Sequence, residues 1–264
     1  MKGQPAAQFV PWFATAAAAV GAVLFAVAPP HELQAKLYLI GYGICHQAPS
    51  HSYFLAGRQL PLCARDTGTY LGATGTILLL LVLRGRGRRS GLPAPGVLAA
   101  LLAGVAFFAI DGLNSFAATS AGWPHLYEPS NLLRLASGLS CGIAIGSLLW
   151  PLANYTLWAH SDPQAAMGWP EFLAALGLSG LELALVTSGA AALFWPLALA
   201  SALSVAILVS LVNALLLVVV CGWERRAESW GQVGLLLGSG LLLAELELAL
   251  MGLLRAFLER SLPV

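Results

Sequence analysis

The sequence predicts an all-α protein, a polytopic bundle of transmembrane helices. Of the 264 residues, 58% are apolar and only 9% are charged, whereas about 25% of residues are charged in ordinary soluble domains. The apolar residues also form runs long enough to cross ~30 Å of hydrocarbon as helices. Because backbone amides in lipid must be hydrogen-bonded within their own segment, and no run alternates as a barrel strand would, helical spans are expected.

Seven runs are predicted to span the membrane. Five contain no charged residue: Val10–Ala28, Thr67–Leu83, Pro93–Ile110, Leu135–Trp158 and Leu197–Gly222. Two of similar length contain glutamates: Phe172–Trp195 and Gln232–Leu254. The first run follows Lys2 and resembles a signal peptide, but it is longer than the ~7–15-residue core of such a peptide. Since Pro29 also follows the candidate cleavage site, we expect a retained helix.

Two basic clusters predict the orientation, since short cytoplasmic loops collect Lys and Arg. Their members are Arg84, Arg86, Arg88 and Arg89 in one loop, and Arg225 and Arg226 in another. If the first cluster is cytoplasmic, counting spans makes the second cluster and the N-terminus cytoplasmic too. Residues 29–66 and 111–134, the turn at 195–196 and the C-terminus then lie outside. We expect a multi-pass protein of the plasma membrane.

Two blocks of residues in the predicted external loops resemble a known family. The first contains Cys45-His46-Gln47, Ser52-Tyr53, Gly57, the run from Leu60 to Gly68, Tyr70 and Gly72; the second contains Asp111-Gly112, the run from Ser130 to Arg134, and Gly138. They are similar to the pattern CHQ followed by CxRCxGxYxG of an uncharacterised prokaryotic membrane family, domain of unknown function 2085. The resemblance implies a membrane protein and brings no established activity. Where the pattern has a cysteine after the arginine, this chain has Asp66.

The resemblance covers roughly residues 38–145, so it also suggests how the chain is organised. We expect one membrane domain, residues 1–264, with a family-like core at 38–145 that carries the external motif loops. Residues 170–264 then add further C-terminal helices outside the resemblance.

Cys45, His46, Cys63 and Asp66 form a candidate metal site, with zinc or another transition metal as the expected occupant. Cysteine, histidine and aspartate are all zinc ligands, and four such donors complete a tetrahedron. The alternative is a Cys45–Cys63 disulfide, which is allowed outside the cytoplasm and closes a loop of about 19 residues, worth ~3 kcal/mol. Both interpretations stay open. The resemblance favours the metal, because a disulfide leaves the pattern's third cysteine odd and gives His46 no role.

Charged residues at the predicted outer helix ends are expected to form ion pairs, since an unpaired charge near hydrocarbon is costly. We predict that Asp111 pairs with Arg134 across neighbouring antiparallel helices. The alternative is an anion or headgroup pocket in which Arg65 and Arg134 are the forks, together with Asp111 and Asn131. The loop histidines are expected to have ordinary surface roles; they are His31, His51 and His125.

Three glutamates lie inside predicted spans: Glu182, Glu245 and Glu247. Glu182 and Glu247 share the context Leu-Glu-Leu-Ala-Leu, and intramembrane carboxyl groups are typical of proton or cation pathways. The alternative is that they hydrogen-bond neighbouring helices, with Ser179, Ser188 or Asn213 as partners. Glycines in the same spans are expected to allow close helix packing; they are Gly177, Gly180, Gly234 and Gly238.

The sequence excludes several functional classes and leaves three hypotheses. It contains no nucleotide-binding loop, GxSxG elbow, HExxH or CxxCH motif, and its net charge of +1 provides no basic face for nucleic acid. The first hypothesis is a membrane protein with an extracytoplasmic metal site. The second is a structural subunit or assembly factor of a membrane complex, and the third is a proton- or ion-coupled transporter. The expected partner is the lipid bilayer, together with other membrane subunits under the second hypothesis. Enzymatic activity stays open.

Overall fold

The computed structural model describes residues 5–83, 87–119 and 123–261, with backbone only at residues 5–9. Helices contain 74% of the residues, which confirms the all-α class. The helices are α1 Pro5–Val27, α2 Leu33–Tyr42, α3 Ala64–Val82, α4 Pro95–Thr119, α5 Asn131–Leu157, α6 Trp169–Thr187, α7 Phe194–Val220 and α8 Trp230–Ser261. Arg84 and Arg86 of the first basic cluster lie outside the described residues.

Within those residues, six helices are long and apolar enough to cross a membrane: α1, α4, α5, α6, α7 and α8. The remaining predicted span, Thr67–Leu83, forms α3. This helix begins with Arg65, Asp66 and several threonines and glycines, which lower its mean hydropathy. Its 19 residues would still extend about 28 Å at 1.5 Å per residue. The chain is a multi-pass membrane protein, and the count of seven spans stays a prediction.

The predicted external segment 29–66 is more structured than its sequence suggested. It contains the ten-residue helix α2, which was not predicted, a short 3-10 helix at Pro49–His51, and a hairpin of β1 Phe54–Leu55 and β2 Arg58–Gln59. Ala56 and Gly57 form the hairpin turn, and both have positive φ angles of 50° and 75°. Two consecutive residues with positive φ are what the commonest two-residue hairpin turn requires.

A second pair of short strands involves the segments before α4 and before α6. Strands β3 Arg89–Gly91 and β4 Asp162–Ala165 are parallel, and the amide of Ala94 donates to the carbonyl of Met167 at 3.0 Å. Counting the predicted spans places both segments on the cytoplasmic side.

The chain divides into two compact units. One contains residues 1–45, 153–161 and 205–264, and the other contains residues 46–152 and 162–204. In the first unit, α1 contacts α8 where the Thr15 hydroxyl donates to the Leu235 carbonyl at 3.1 Å. A Cβ at Gly238 would lie 2.4 Å from Thr15 Oγ1, so the packing role predicted for Gly238 is confirmed.

In the second unit, the backbones of α3 and α5 come into direct contact at glycines for which no packing role was predicted. A Cβ at Gly68 would lie 2.4 Å from the Leu135 carbonyl oxygen, and one at Gly142 would lie 2.5 Å from that of Thr69. Gly138 and Gly146 meet backbone oxygens of α3 at 2.2 and 2.5 Å in the same way. Small residues four apart on facing helices are the usual device for close contact in membranes.

The prediction was wrong for three of the glycines that it named. A Cβ at Gly177, Gly180 or Gly234 would meet no atom of the described residues within 4 Å. Gly177, Gly180 and Gly234 are exposed in the structure, because α6 and α8 turn other faces toward their neighbours. A glycine in an apolar helix permits close packing only where a second helix lies against it.

Candidate metal site

The loop that leads to the candidate site is held in place by its own side-chain amides. Gln47 has φ of 53°, is buried, and donates from Nε2 to the Pro61 carbonyl at 2.7 Å. Gln59 donates from Nε2 to the Gln47 carbonyl at 2.8 Å and to Ser52 Oγ at 3.0 Å. The two ends of the loop, at residues 46 and 63, are therefore cross-connected by bonds that need no metal.

The four residues predicted as metal ligands lie together. One potential ligand atom from each of Cys45, His46, Cys63 and Asp66 falls within 4.8 Å of all the others. Both cysteines are buried, Asp66 is half-buried and His46 is exposed. His46, Cys63 and Asp66 belong to one unit, and Cys45 is joined to His46 by a peptide bond. The sequence spacing therefore produces a donor set of two sulfurs, one imidazole and one carboxylate.

The start of α3 positions two of these residues. Cys63 is the N-cap of α3, and Asp66 lies in the first turn. The Cys63 thiol donates to Asp66 Oδ2 at 3.2 Å. The partial positive charge at a helix N-terminus stabilises anionic groups, so this position suits a thiolate and a carboxylate that share a cation. The structure contains Cys45 and Cys63 as thiols, with no disulfide between them.

His51 was expected to be an ordinary loop histidine, but it contacts the candidate ligand His46. The distance between His46 Nε2 and His51 Nδ1 is 2.8 Å. Burial lowers the pKa of His51 most, and the nearby Arg134, His46 and Arg65 lower it further. The sequence offered only the five-residue separation of the two histidines as a signal, and the 3-10 turn between them brings their rings together.

The charged residues near the site form a network, but with different partners from those predicted. Asp111 is fully buried and pairs with Arg65, whose NH2 donates to Oδ2 at 2.6 Å. Ser137 Oγ donates to the same Asp111 oxygen at 3.0 Å, and Tyr127 Oη donates to Oδ1 at 3.0 Å. The pKa of Tyr127 is raised by burial and by its bond to Asp111.

The direct ion pair of Asp111 is thus with Arg65 rather than with Arg134, although the charges of Asp111 and Arg134 lie near enough to interact. Arg134 is buried and donates from NH1 to Asn131 Oδ1 at 2.9 Å, one turn earlier on α5. Asn131 in turn donates from Nδ2 to the carbonyls of Ser50 and Ser52 at 3.2 and 3.3 Å. The anion pocket stays a prediction.

Asn114 is a further member of this network, for which the sequence predicted no specific partner. Its Nδ2 donates to the Tyr127 carbonyl at 2.8 Å, and its Oδ1 accepts the amide of Leu126 at 2.6 Å. Asn114 thus orders the segment before α5, including the tyrosine that bonds Asp111. An asparagine near the end of an apolar helix, one turn from an aspartate, was the available signal.

The three glutamates within predicted spans occupy different environments. Glu182 approaches α3, where a Cβ at Gly75 would lie 2.8 Å from its Oε1, and Ser179 hydrogen-bonds it. Glu245 lies against Gly21 of α1, whereas Glu247 accepts a bond from Asn213 Nδ2 at 2.7 Å. Two of the three suggested polar partners, Ser179 and Asn213, are thus used. Glu182 belongs to one unit and the other two glutamates to the other, so no shared carboxyl pathway is proposed.

Comparison with known proteins assigns the family. Residues 45–148 match DUF2085, described as a predicted membrane protein. An uncharacterized protein of Methanothermobacter thermautotrophicus is 32% identical over 114 residues, which is 43% of this chain and 91% of that relative. No solved structure matches the chain. The matched segment contains the whole candidate site and the α3–α5 contact, and α6 to α8 lie beyond it. The chain belongs to the DUF2085 family of predicted membrane proteins.

Proposed function

We propose that this membrane protein binds one transition-metal ion through Cys45, His46, Cys63 and Asp66, with zinc as the best-suited metal. The observation that supports this most is the convergence of four ligand atoms within 4.8 Å. Ligands about 2.0–2.3 Å from a tetrahedral zinc ion are separated by about 3.3–3.8 Å from one another. The loop therefore needs to contract by only about an ångström to place all four atoms at zinc-binding distance.

The donor set favours a structural role for the ion. Four protein ligands fill the tetrahedral positions of zinc and leave none for substrate or water. A bound ion would hold the start of α3 against the Cys45–His46 pair and fix the loop between them. The function that we propose is thus a metal-stabilised cap at one face of a helical membrane domain.

Metal analysis of the purified protein tests this proposal. We expect one zinc ion per chain in detergent, and loss of most of it in Cys63→Ser and Asp66→Asn. The matched control is Cys141→Ser, which removes a buried thiol of α5 outside the group. Wild-type protein without stoichiometric metal, or a Cys63→Ser variant that retains it, would contradict the proposal.

We further infer that the site faces outward from the plasma membrane and that the 264 residues form one membrane domain. The two basic clusters support this orientation under the positive-inside rule. Contacts within the second unit are consistent with it, because Arg58 of the hairpin lies 5.5 Å from the Phe194 ring, at the turn before α7. Both segments were assigned to the outer side.

Reporter fusions test the orientation. Alkaline phosphatase fused after Ser261 is expected to be active, and the same reporter within the Arg88–Arg89 loop is expected to be inactive. Activity with the opposite pattern would place the candidate site in the cytoplasm.

A further inference from the structure

His51 is fixed beside His46 by bonds that do not involve the candidate ligands. The amide of His51 donates to the Ala48 carbonyl at 3.0 Å, and Ser52 Oγ donates to the same carbonyl at 2.8 Å. Asn131, at the start of α5, holds the carbonyls on either side of His51. The imidazole is therefore anchored by its own turn and by a transmembrane helix.

The geometry of the two rings constrains how they share a proton. His46 Nε2 and His51 Nδ1 are 2.8 Å apart, and the ring planes are inclined by 55°. One of these nitrogens must donate and the other must accept, since two lone pairs or two protons would repel. His51 is not a member of the four-residue group, but it contacts one member of that group, His46.

We infer that His51 is a positioning residue which directs Nδ1 of His46 toward the metal. This inference rests on the proposed metal site. With an ion bound, His46 Nε2 would keep its proton and donate a hydrogen bond to Nδ1 of His51, so that the lone pair of His46 Nδ1 would be available to the ion. His51 then carries its own proton on Nε2, which faces away from His46.

Such an outer partner has two physical effects on a ligating histidine. It fixes the tautomer and the ring orientation, and it makes the ligating nitrogen more basic by accepting a hydrogen bond from the other ring nitrogen. Because His46 is exposed, its ring has little packing to orient it. The hydrogen bond to an anchored His51 supplies that orientation.

Replacement of His51 tests the inference. His51→Ala removes the acceptor, and we expect it to weaken zinc binding about 10–100-fold, measured by competition with a chromophoric chelator. His51→Asn carries an amide oxygen near the position of the imidazole Nδ1, and it should restore most of the affinity. His125→Ala is the control, because it removes a histidine from an exposed loop of the same unit.

Nitrogen-15 NMR of the zinc-bound wild-type protein, labelled at histidine, tests the same inference without a mutation. We expect one histidine with a metal-bound Nδ1 and a protonated Nε2. Coordination through Nε2, or equal zinc affinity in His51→Ala and wild type, would overturn the role of His51 while leaving the metal site intact. Absence of zinc binding in the wild type would instead overturn the proposed function itself.

Discussion

The glycines of α3 and α5 and those of α6 all lie in predicted membrane spans, yet they have opposite surroundings. On the α3–α5 contact, a Cβ at Gly142 would lie 2.5 Å from the Thr69 carbonyl oxygen and 2.8 Å from the Ala73 nitrogen. On α6, a Cβ at Gly177 would meet nothing within 4 Å in the part of the chain that the structure describes. The same residue type thus sets the distance between two helices in one place and borders open space in the other.

The difference shows that a glycine brings two helices close together only where the facing helix also has small residues. Gly68 and Gly72 on α3 face Gly138, Gly142 and Gly146 on α5, so each helix removes the side chains that would separate the backbones. No equivalent partner faces α6 at its glycines in the described part of the chain. Charged residues depend on a partner in the same way, because a buried charge is stabilised only where an opposite charge or a hydrogen-bonding group contacts it.

The most direct test of this comparison adds one methyl group on each side of it. Gly142→Ala forces α3 and α5 apart or strains them, and overpacking of this kind costs about 1–3 kcal/mol. Gly177→Ala has space for its methyl group and gains up to ~1 kcal/mol in helix propensity. The two variants should therefore shift the melting temperature in detergent in opposite directions.

Equal stability of the two alanine variants would show that the α3–α5 backbone contact is not a constraint on the fold. Gly180→Ala is a further control on the open face, since a Cβ there also meets no atom within 4 Å. It should behave as Gly177→Ala does.

A comparison of ion pairs extends the argument to charged residues. Asp111 is fully buried and its pair with Arg65 is 2.6 Å long, whereas Glu259 has 53% of its side chain exposed in its 2.7 Å pair with Arg255. Removing one partner of a buried pair costs about 3–5 kcal/mol, and an exposed pair four residues apart on a helix contributes about 0.3–0.5 kcal/mol. Thus Asp111→Asn should lower the free energy of unfolding far more than Glu259→Gln.

A double-mutant cycle sharpens this prediction. Once Asp111→Asn has removed the pair, Arg65→Gln should cost much less than it does in the wild type, since residues in direct contact are not additive. Strictly additive losses would mean that the two side chains do not stabilise each other. In that case, the Ser137 and Tyr127 hydroxyls would account for the burial of Asp111.

The sequence predicted those parts of the molecule that depend on composition or on neighbouring residues. Apolar runs predicted the helices, and the motif predicted that Cys45, His46, Cys63 and Asp66 would meet. Partner choice could not be predicted, because it depends on distances between helices that no local pattern specifies. The sequence therefore did not predict that Asp111 would pair with Arg65 rather than Arg134. It also did not predict the turn that brings His51 to His46.

The smallest expected effect concerns His125, which lies in an exposed loop. Its Nε2 is 3.1 Å from Glu128 Oε1, and this bond is the main reason that the pKa of His125 is raised above the ordinary 6.5, with a further contribution from the Trp123 carbonyl. A raised pKa in the folded protein means that the pair stabilises the fold below the ordinary histidine pKa. That stabilisation is lost as the pH rises through the raised value. Titration of His125 by NMR should give a pKa that falls in Glu128→Gln, with almost no change in the melting temperature. A pKa that is the same in both proteins would show that the loop does not hold the two side chains together. The His125–Glu128 contact would then contribute as little to the fold as the exposed face at Gly177.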